Sequence, residues 1–204
     1  MRRSTAALLS TAFMSTGLLL GGCAPGSSGS PDASSAGAAT TATSSAALLA
    51  RHGLAGDGPA IVERLEAMPS QDRPRDLMAS VRPGELQLSD GQGKAILPMP
   101  RDRFYLSVAP YVDHTHECHF HSLTTCQGEM MRAPVHLTIR DGSGAPLVDK
   151  DVVTNANGFV GTWLPKGSSG TVEVTSPSGR GTQSFSTAAA DDPTCMTTLR
   201  LTRS

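Results

Sequence analysis

The chain has 204 residues, with 17 Lys and Arg against 18 Asp and Glu and a formal net charge of −1. A balance this near neutrality, with no basic run and a single Trp, excludes a phosphate-tracking or base-stacking surface, so no nucleic acid partner is expected. The length suits one ordinary domain core, or a small domain with a larger one, once leader and linker segments are set aside.

Met1-Arg2-Arg3 and the apolar stretch that runs to Leu20 have the charged start and hydrophobic middle of a secretory signal. The stretch closes on Leu20-Gly21-Gly22-Cys23, a match to a bacterial lipobox. Residues 1–22 are therefore expected to be a lipoprotein signal peptide, and Cys23 the lipidated residue that anchors the chain to the membrane on its extracytoplasmic side. The rest of residues 23–44 is almost entirely Ala, Ser, Gly, Thr and Pro. That composition buries too little apolar area to offset chain entropy and is expected to form a flexible tether.

Residues 45–83 are expected to form a helical N-terminal region. One short helix is predicted over 46–52 and a second over 59–68, where Asp57 caps the start, Pro59 suits the first turn and Ile61, Val62, Leu65 and Met68 share a face. A further helical turn is predicted from Pro74, with Leu77, Met78 and Val81 on one side and Pro83 as its stop. Helices this short need packing against each other, the following domain or a second copy, and their apolar faces suit a homodimer.

From residue 84 to 204 the pattern predicts an immunoglobulin-like antiparallel β-sandwich, making the fold class mainly β. Phe104, Leu106 and Val108 alternate with Tyr105, Ser107 and Ala109, and Val135, Leu137 and Ile139 alternate with His136, Thr138 and Arg140. Further strands are predicted over 147–153, 159–164, 171–175, 183–186 and 197–201, with turns at Asp141-Gly142, Asn157-Gly158 and Ser178-Gly179. Asn157-Gly158 carries the strongest hairpin signal. Many short strands without intervening helices favour a sandwich.

The chemistry concentrates in His114-Thr-His116-Glu-Cys118-His119-Phe-His121-Ser-Leu-Thr-Thr-Cys126, which holds four of the six histidines. Imidazole and thiolate together select copper or zinc over calcium or magnesium. H-E-x-x-H is not completed after His116-Glu117, no C-x-x-C exists, and a Rieske centre lacks its second Cys-His pair. An extended segment turns His114, His116 and Cys118 to one side and His119 and His121 to the other, whereas a helical turn groups Cys118 with His121 or with His114. Not all of these side chains can serve one ion, and Cys118 is grouped with a histidine in both geometries.

Beyond Cys23, the cysteines Cys118, Cys126 and Cys195 face an oxidising compartment, and their odd number leaves one thiol without a partner. Cys195 precedes the last predicted strand, which a sandwich can bring near the Cys118 loop. Three thiolates, or two with an imidazole, suit Cu(I). Two thiols closing to a disulfide also release two electrons, enough to reduce Cu(II) to Cu(I), after which an outside reductant must restore them. Which thiols pair is not legible here. His136 and His52 read as solvated surface residues, Met130 and Met131 as core or rim packing, and Met196 as facing away from Cys195. Asp113, Glu117 and Glu129 are candidates to orient imidazoles.

Ala109-Pro-Tyr-Val-Asp-His-Thr-His-Glu-Cys118-His-Phe-His-Ser-Leu-Thr-Thr-Cys126-Gln-Gly-Glu129, together with Asp-Asp-Pro-Thr-Cys195-Met-Thr-Thr-Leu-Arg-Leu201, resembles the CueP family of extracytoplasmic copper-binding proteins. Asp76-Leu-Met-Ala-Ser-Val-Arg-Pro83, Phe104-Tyr105, Asn155-Ala-Asn-Gly-Phe159 and Trp163-Leu-Pro165 extend the likeness over most of residues 76–202. The resemblance implies a cell-envelope protein for copper tolerance that binds copper through Cys118, Cys126 and Cys195. His116, His119 and His121 fall inside the matching motif. It further implies reduction of Cu(II), a thiol-reducing partner, and supply of copper to an enzyme such as superoxide dismutase. The lipobox and long tether depart from soluble periplasmic relatives. Two rival readings remain: a cupredoxin-like electron carrier, which needs one thiolate, two imidazoles and a weak axial sulfur, and a structural envelope lipoprotein stapled by a Cys118–Cys126 disulfide.

Overall fold

The computed structural model describes residues 44–203. The signal, the lipobox cysteine and nearly all of the tether lie outside the described residues. No helix among the described residues is long and apolar enough to cross a membrane.

Helix α1 covers residues 44–51 and α2 covers Gly58–Ala67, where the Asp57 side chain accepts a hydrogen bond from the Ala60 amide at 3.0 Å. Ile61, Val62 and Leu65 bury the predicted face of α2. Gly58 is required at its start because a Cβ there would stand 2.7 Å from the Pro98 carbonyl oxygen. The cap satisfies an otherwise orphaned amide, so Asp57→Ala is expected to cost ~1 kcal/mol, read as a shift in the urea midpoint.

The helical turn predicted after Pro74 is corrected by the structure. That segment is instead strand β1, Met78–Arg82, paired antiparallel with β2, Glu85–Asp90, which pairs in turn with β3, Gly93–Pro98. Ala79 and Val81 are buried and Met78 is 53% exposed, which is period two rather than three to four. Pro83-Gly84 is the hairpin turn between Arg82 and Glu85, with Gly84 at φ 93°; proline followed by a positive-φ glycine is turn chemistry, not a helix stop. This meander and the two helices share one core that includes Leu48, Leu65, Val81 and Leu86.

The second core lies within a mainly β, antiparallel sandwich. Strands β4 (Arg103–Val108), β5 (Pro134–Asp141), β6 (Pro146–Val153), β7 (Val160–Pro165), β8 (Ser169–Ser176) and β9 (Gly179–Ser186) form it with the two-residue β10, Cys195–Met196. One sheet has the order β10-β4-β7 and the other β6-β5-β8-β9. Phe104, Leu106 and Val108 meet Leu137, Ile139, Val172 and Val174 between them. Asn157-Gly158 is not a hairpin turn, because β6 and β7 belong to different sheets; the turn carries the chain across the sandwich. The predicted strand over 197–201 is also reduced. After β10 the pairing continues only as isolated contacts of Arg200 with Tyr111 and Thr202 with Arg180, while Leu199 and Leu201 are buried in the sandwich core.

Strand β4 is shared between the two cores. Its alternate residues Phe104, Leu106 and Val108 serve the sandwich, while Tyr105 packs into the helical core on the other side. Ser107, on that same second face, is fully buried.

Candidate metal centre

The Cys-His segment is neither strand nor helix; it is laced onto its neighbours by main-chain bonds. The Val81 amide donates to the His121 carbonyl at 2.8 Å, and the Leu123 amide to the Ala79 carbonyl at 2.9 Å, which fixes the segment along the edge of β1. Thr194 joins the third element: its hydroxyl donates to the Val81 carbonyl and accepts from the His121 amide. The Cys195 amide then donates to the His119 carbonyl at 3.2 Å. Parallel pairing of Cys195 with Ser107 of β4 completes the convergence.

Four predicted residues meet. The sulfurs of Cys118, Cys126 and Cys195 and one nitrogen of His121 all lie within 4.8 Å of one another. Cys118 and Cys195 are joined as a disulfide with Cα atoms 5.6 Å apart, and Cys126 is a free, buried thiol. Its Sγ stands 3.4 Å from Cys118 Sγ, and Cys195 Sγ stands 3.7 Å from His121 Nδ1. The Cys118–Cys126 staple is thus corrected, since the His119–Cys195 main-chain bond draws Cys118 to Cys195 instead. Among the described residues the group that converges is not a cupredoxin set either, because three sulfurs meet one imidazole.

The other histidines go elsewhere. His119 turns its Nε2 to the Asp191 carbonyl at 2.8 Å and packs edge-on against Phe120, so the structure does not bring its ring to the sulfurs. His116 packs on Phe159, the same ring that His121 contacts, with its Nε2 buried and lacking a hydrogen-bond partner. It lies beside the four-residue group rather than within it. His114 is 88% exposed at its side chain. His136 is a surface residue held between Asp149 and Asp151. The reading of His52 as solvated is corrected: its side chain is only 6% exposed and binds Asp90, which also takes Arg51, so it ties α1 to the β2–β3 hairpin. Met130 packs against the sandwich core, Met131 is exposed, and Met196 is buried in that core, away from the sulfurs.

Sequence reasoning missed Glu66. On α2, its Oε2 stands 2.7 Å from His121 Nε2, and its Oε1 accepts from Ser107 Oγ and Asn157 Nδ2, both at 3.1 Å. Anchoring of Nε2 leaves Nδ1 directed at the sulfurs, the arrangement by which a carboxylate fixes the ring and tautomer of a ligating histidine. Burial works against charge on both groups, but their mutual attraction outweighs it. Glu66 is held below the usual carboxylate value and His121, aided by the nearby Cys126, is pushed up to about 9. Arg73, also buried, donates to the carbonyls of Cys126, Met68 and Glu66 and so joins the end of α2 to the cysteine loop. The signal available for Glu66 was a carboxylate four residues after Val62, beside the apolar stripe of an amphipathic helix. The anticipated Glu129 caps the loop by accepting from the amides of Val112 and Asp113, and its Oε1 stands 3.6 Å from Nδ1 of the exposed His114, outside the group of sulfurs.

The donors are three sulfurs and a polarised imidazole, soft enough for Cu(I) and few enough for its low coordination number. The model of a family described as periplasmic copper-binding protein CueP matches residues 60–200. The solved crystal structure of S.CueP is 42% identical, with a TM-score of 0.71, covering 76% of this chain and 96% of that one. A comparison with curated proteins yields no match. The match across both cores and the cysteine loop shows that this chain belongs to the CueP family of periplasmic copper-binding proteins.

Proposed function

We propose that the reduced protein holds Cu(I) through Cys118, Cys126 and Cys195 with His121 Nδ1 assisting, and that two of these thiols also reduce Cu(II), after which re-reduction restores the full ligand set. The observation that carries the reading is the convergence of these four side chains within 4.8 Å, with His121 held by Glu66 at 2.7 Å. Zinc also accepts such donors, but three thiolates in a constrained pocket favour Cu(I).

Reduction balances without a further co-reactant. Two thiols give up two protons and two electrons, two Cu(II) become two Cu(I), and one disulfide forms. The Cys118–Cys195 bond corresponds to that oxidised product, and a thiol-reducing partner of the envelope returns it to the dithiol. We further assign residues 1–22 as signal, Cys23 as the lipid anchor and 23–44 as tether; the expected boundary at 83/84 moves to the end of β3, since β2 and β3 pair with β1 and share the core of the helices. The anchored protein serves copper tolerance at the membrane surface and passes copper to an extracytoplasmic enzyme, superoxide dismutase being the one the family likeness suggests. Homodimerisation through the N-terminal region belongs to the same reading.

Anaerobic Cu(I) titration of the reduced protein against a competing chelator tests the ligand set. Cys118→Ser, Cys126→Ser, Cys195→Ser and His121→Ala are each expected to weaken binding at least tenfold, ~1.4 kcal/mol or more. His119→Ala should leave it unchanged. Unchanged affinity in all three cysteine variants would overturn the assignment.

A further inference from the structure

The three sulfurs are not equivalent, and their arrangement carries a consequence beyond metal binding. Cys118 is half-buried in an irregular segment, whereas Cys126 and Cys195 are 9% and 3% exposed. Cys118 is bonded to Cys195 while the free Cys126 sulfur stands 3.4 Å from it, within 4.8 Å of the Cys195 sulfur as well. The Ser122 amide donates to Cys126 Sγ at 3.4 Å, and the Cys126 amide donates to the Ser122 carbonyl at 3.1 Å. Cys126 is therefore held as a fixed donor facing a disulfide.

We propose that the oxidised protein undergoes intramolecular thiol–disulfide exchange, with Cys118 as the shared sulfur that alternates between Cys195 and Cys126. In the step, Cys126 sulfur attacks Cys118 sulfur, the Cys118–Cys195 bond breaks, and a Cys118–Cys126 bond forms. Cys195 leaves as the thiol, taking up the proton that Cys126 gives up. No electrons are gained or lost, so no outside oxidant or reductant is needed. The Cys118–Cys195 bond must turn until Cys126 Sγ comes into line with it for the displacement, and confinement of the three sulfurs within 4.8 Å gives the attacking thiol a high effective concentration. The released Cys195 thiol faces His121 Nδ1. Either oxidised form thus keeps one thiol beside the same imidazole. This deepens the copper-redox reading and rests on it for its purpose, although the exchange itself needs no metal.

The test uses the oxidised, metal-free full chain. It is incubated at neutral pH with N-ethylmaleimide for increasing times, quenched in acid, digested with pepsin under acid to prevent scrambling, and mapped by mass spectrometry. The expected result is Cys118–Cys126-linked peptide with maleimide on Cys195, rising with time alongside Cys118–Cys195-linked peptide with maleimide on Cys126. Cys126→Ser should show the Cys118–Cys195 linkage alone. Wild-type protein that yields only Cys118–Cys195 linkage, with label confined to Cys126 at every time, would overturn the exchange. Because the copper titration is made on reduced protein, either result can fail while the other stands.

Discussion

Glu66→Ala is expected to destabilise the metal-free protein by ~3–5 kcal/mol, the cost of removing one partner from a buried ion pair. The size reflects the groups left behind. His121, with a fully buried side chain, loses the carboxylate that holds its charge, and Ser107 Oγ and Asn157 Nδ2 lose their acceptor. Each stranded donor adds to the desolvation loss. Glu66→Gln keeps an acceptor for these groups and should cost less. Glu63→Ala, three residues earlier and exposed on the same helix, should stay within ~0.5 kcal/mol of wild type. Urea unfolding of the reduced, metal-free variants checks the series, and equal midpoints for Glu66→Ala and Glu63→Ala would mean that the buried pair does not support the fold. Because Glu66 also aims Nδ1, Glu66→Ala should lower Cu(I) affinity as well, by the 10- to 100-fold typical of such positioning partners, ~1.4–2.7 kcal/mol.

Stability of the metal-free protein is expected to be highest between about pH 4.5 and pH 6.5 and to fall on either side. His121 has a folded value of about 9, above its unfolded value of ~6.5. Its contribution is complete below the unfolded value and is lost as pH rises through the folded one, a decline on the order of 3 kcal/mol. Glu66 is shifted the other way. Its contribution is present above the unfolded carboxylate value and is lost as pH falls through the lower folded one. His121→Leu should flatten the alkaline decline, whereas His136→Ala, on the surface, should retain it. Unfolding midpoints measured from pH 4 to pH 9.5 on the metal-free protein with the Cys118–Cys195 disulfide intact check this, and an unchanged alkaline slope in His121→Leu would refute the assignment. Copper bound at Nδ1 competes with the proton there, so added Cu(I) should offset the alkaline loss.

Strand periodicity from Phe104 onward was legible because alternation is a local property: one buried face repeats every second residue. Local pattern is ambiguous at Leu77, Met78 and Val81, where three apolar residues fit a helical face as well as a strand and Pro83 suits a helix stop as well as a turn. Asn157-Gly158 has true turn chemistry, but whether a turn returns the chain to the same sheet or sends it to the other depends on partners far away. That crossing brings Asn157 to Glu66, a residue 91 positions earlier.

The sequence by itself determined the donor chemistry, three thiols and a histidine-rich segment in a mainly β chain whose motifs mark its family. Only the tertiary structure decided which histidine serves, which thiol stays free and what supports the imidazole. His121 meets Glu66 across 55 residues and Cys195 across 74. Residue identity is carried by the chain, but convergence at such separations comes from packing two cores against opposite faces of β4, and no local spacing encodes it.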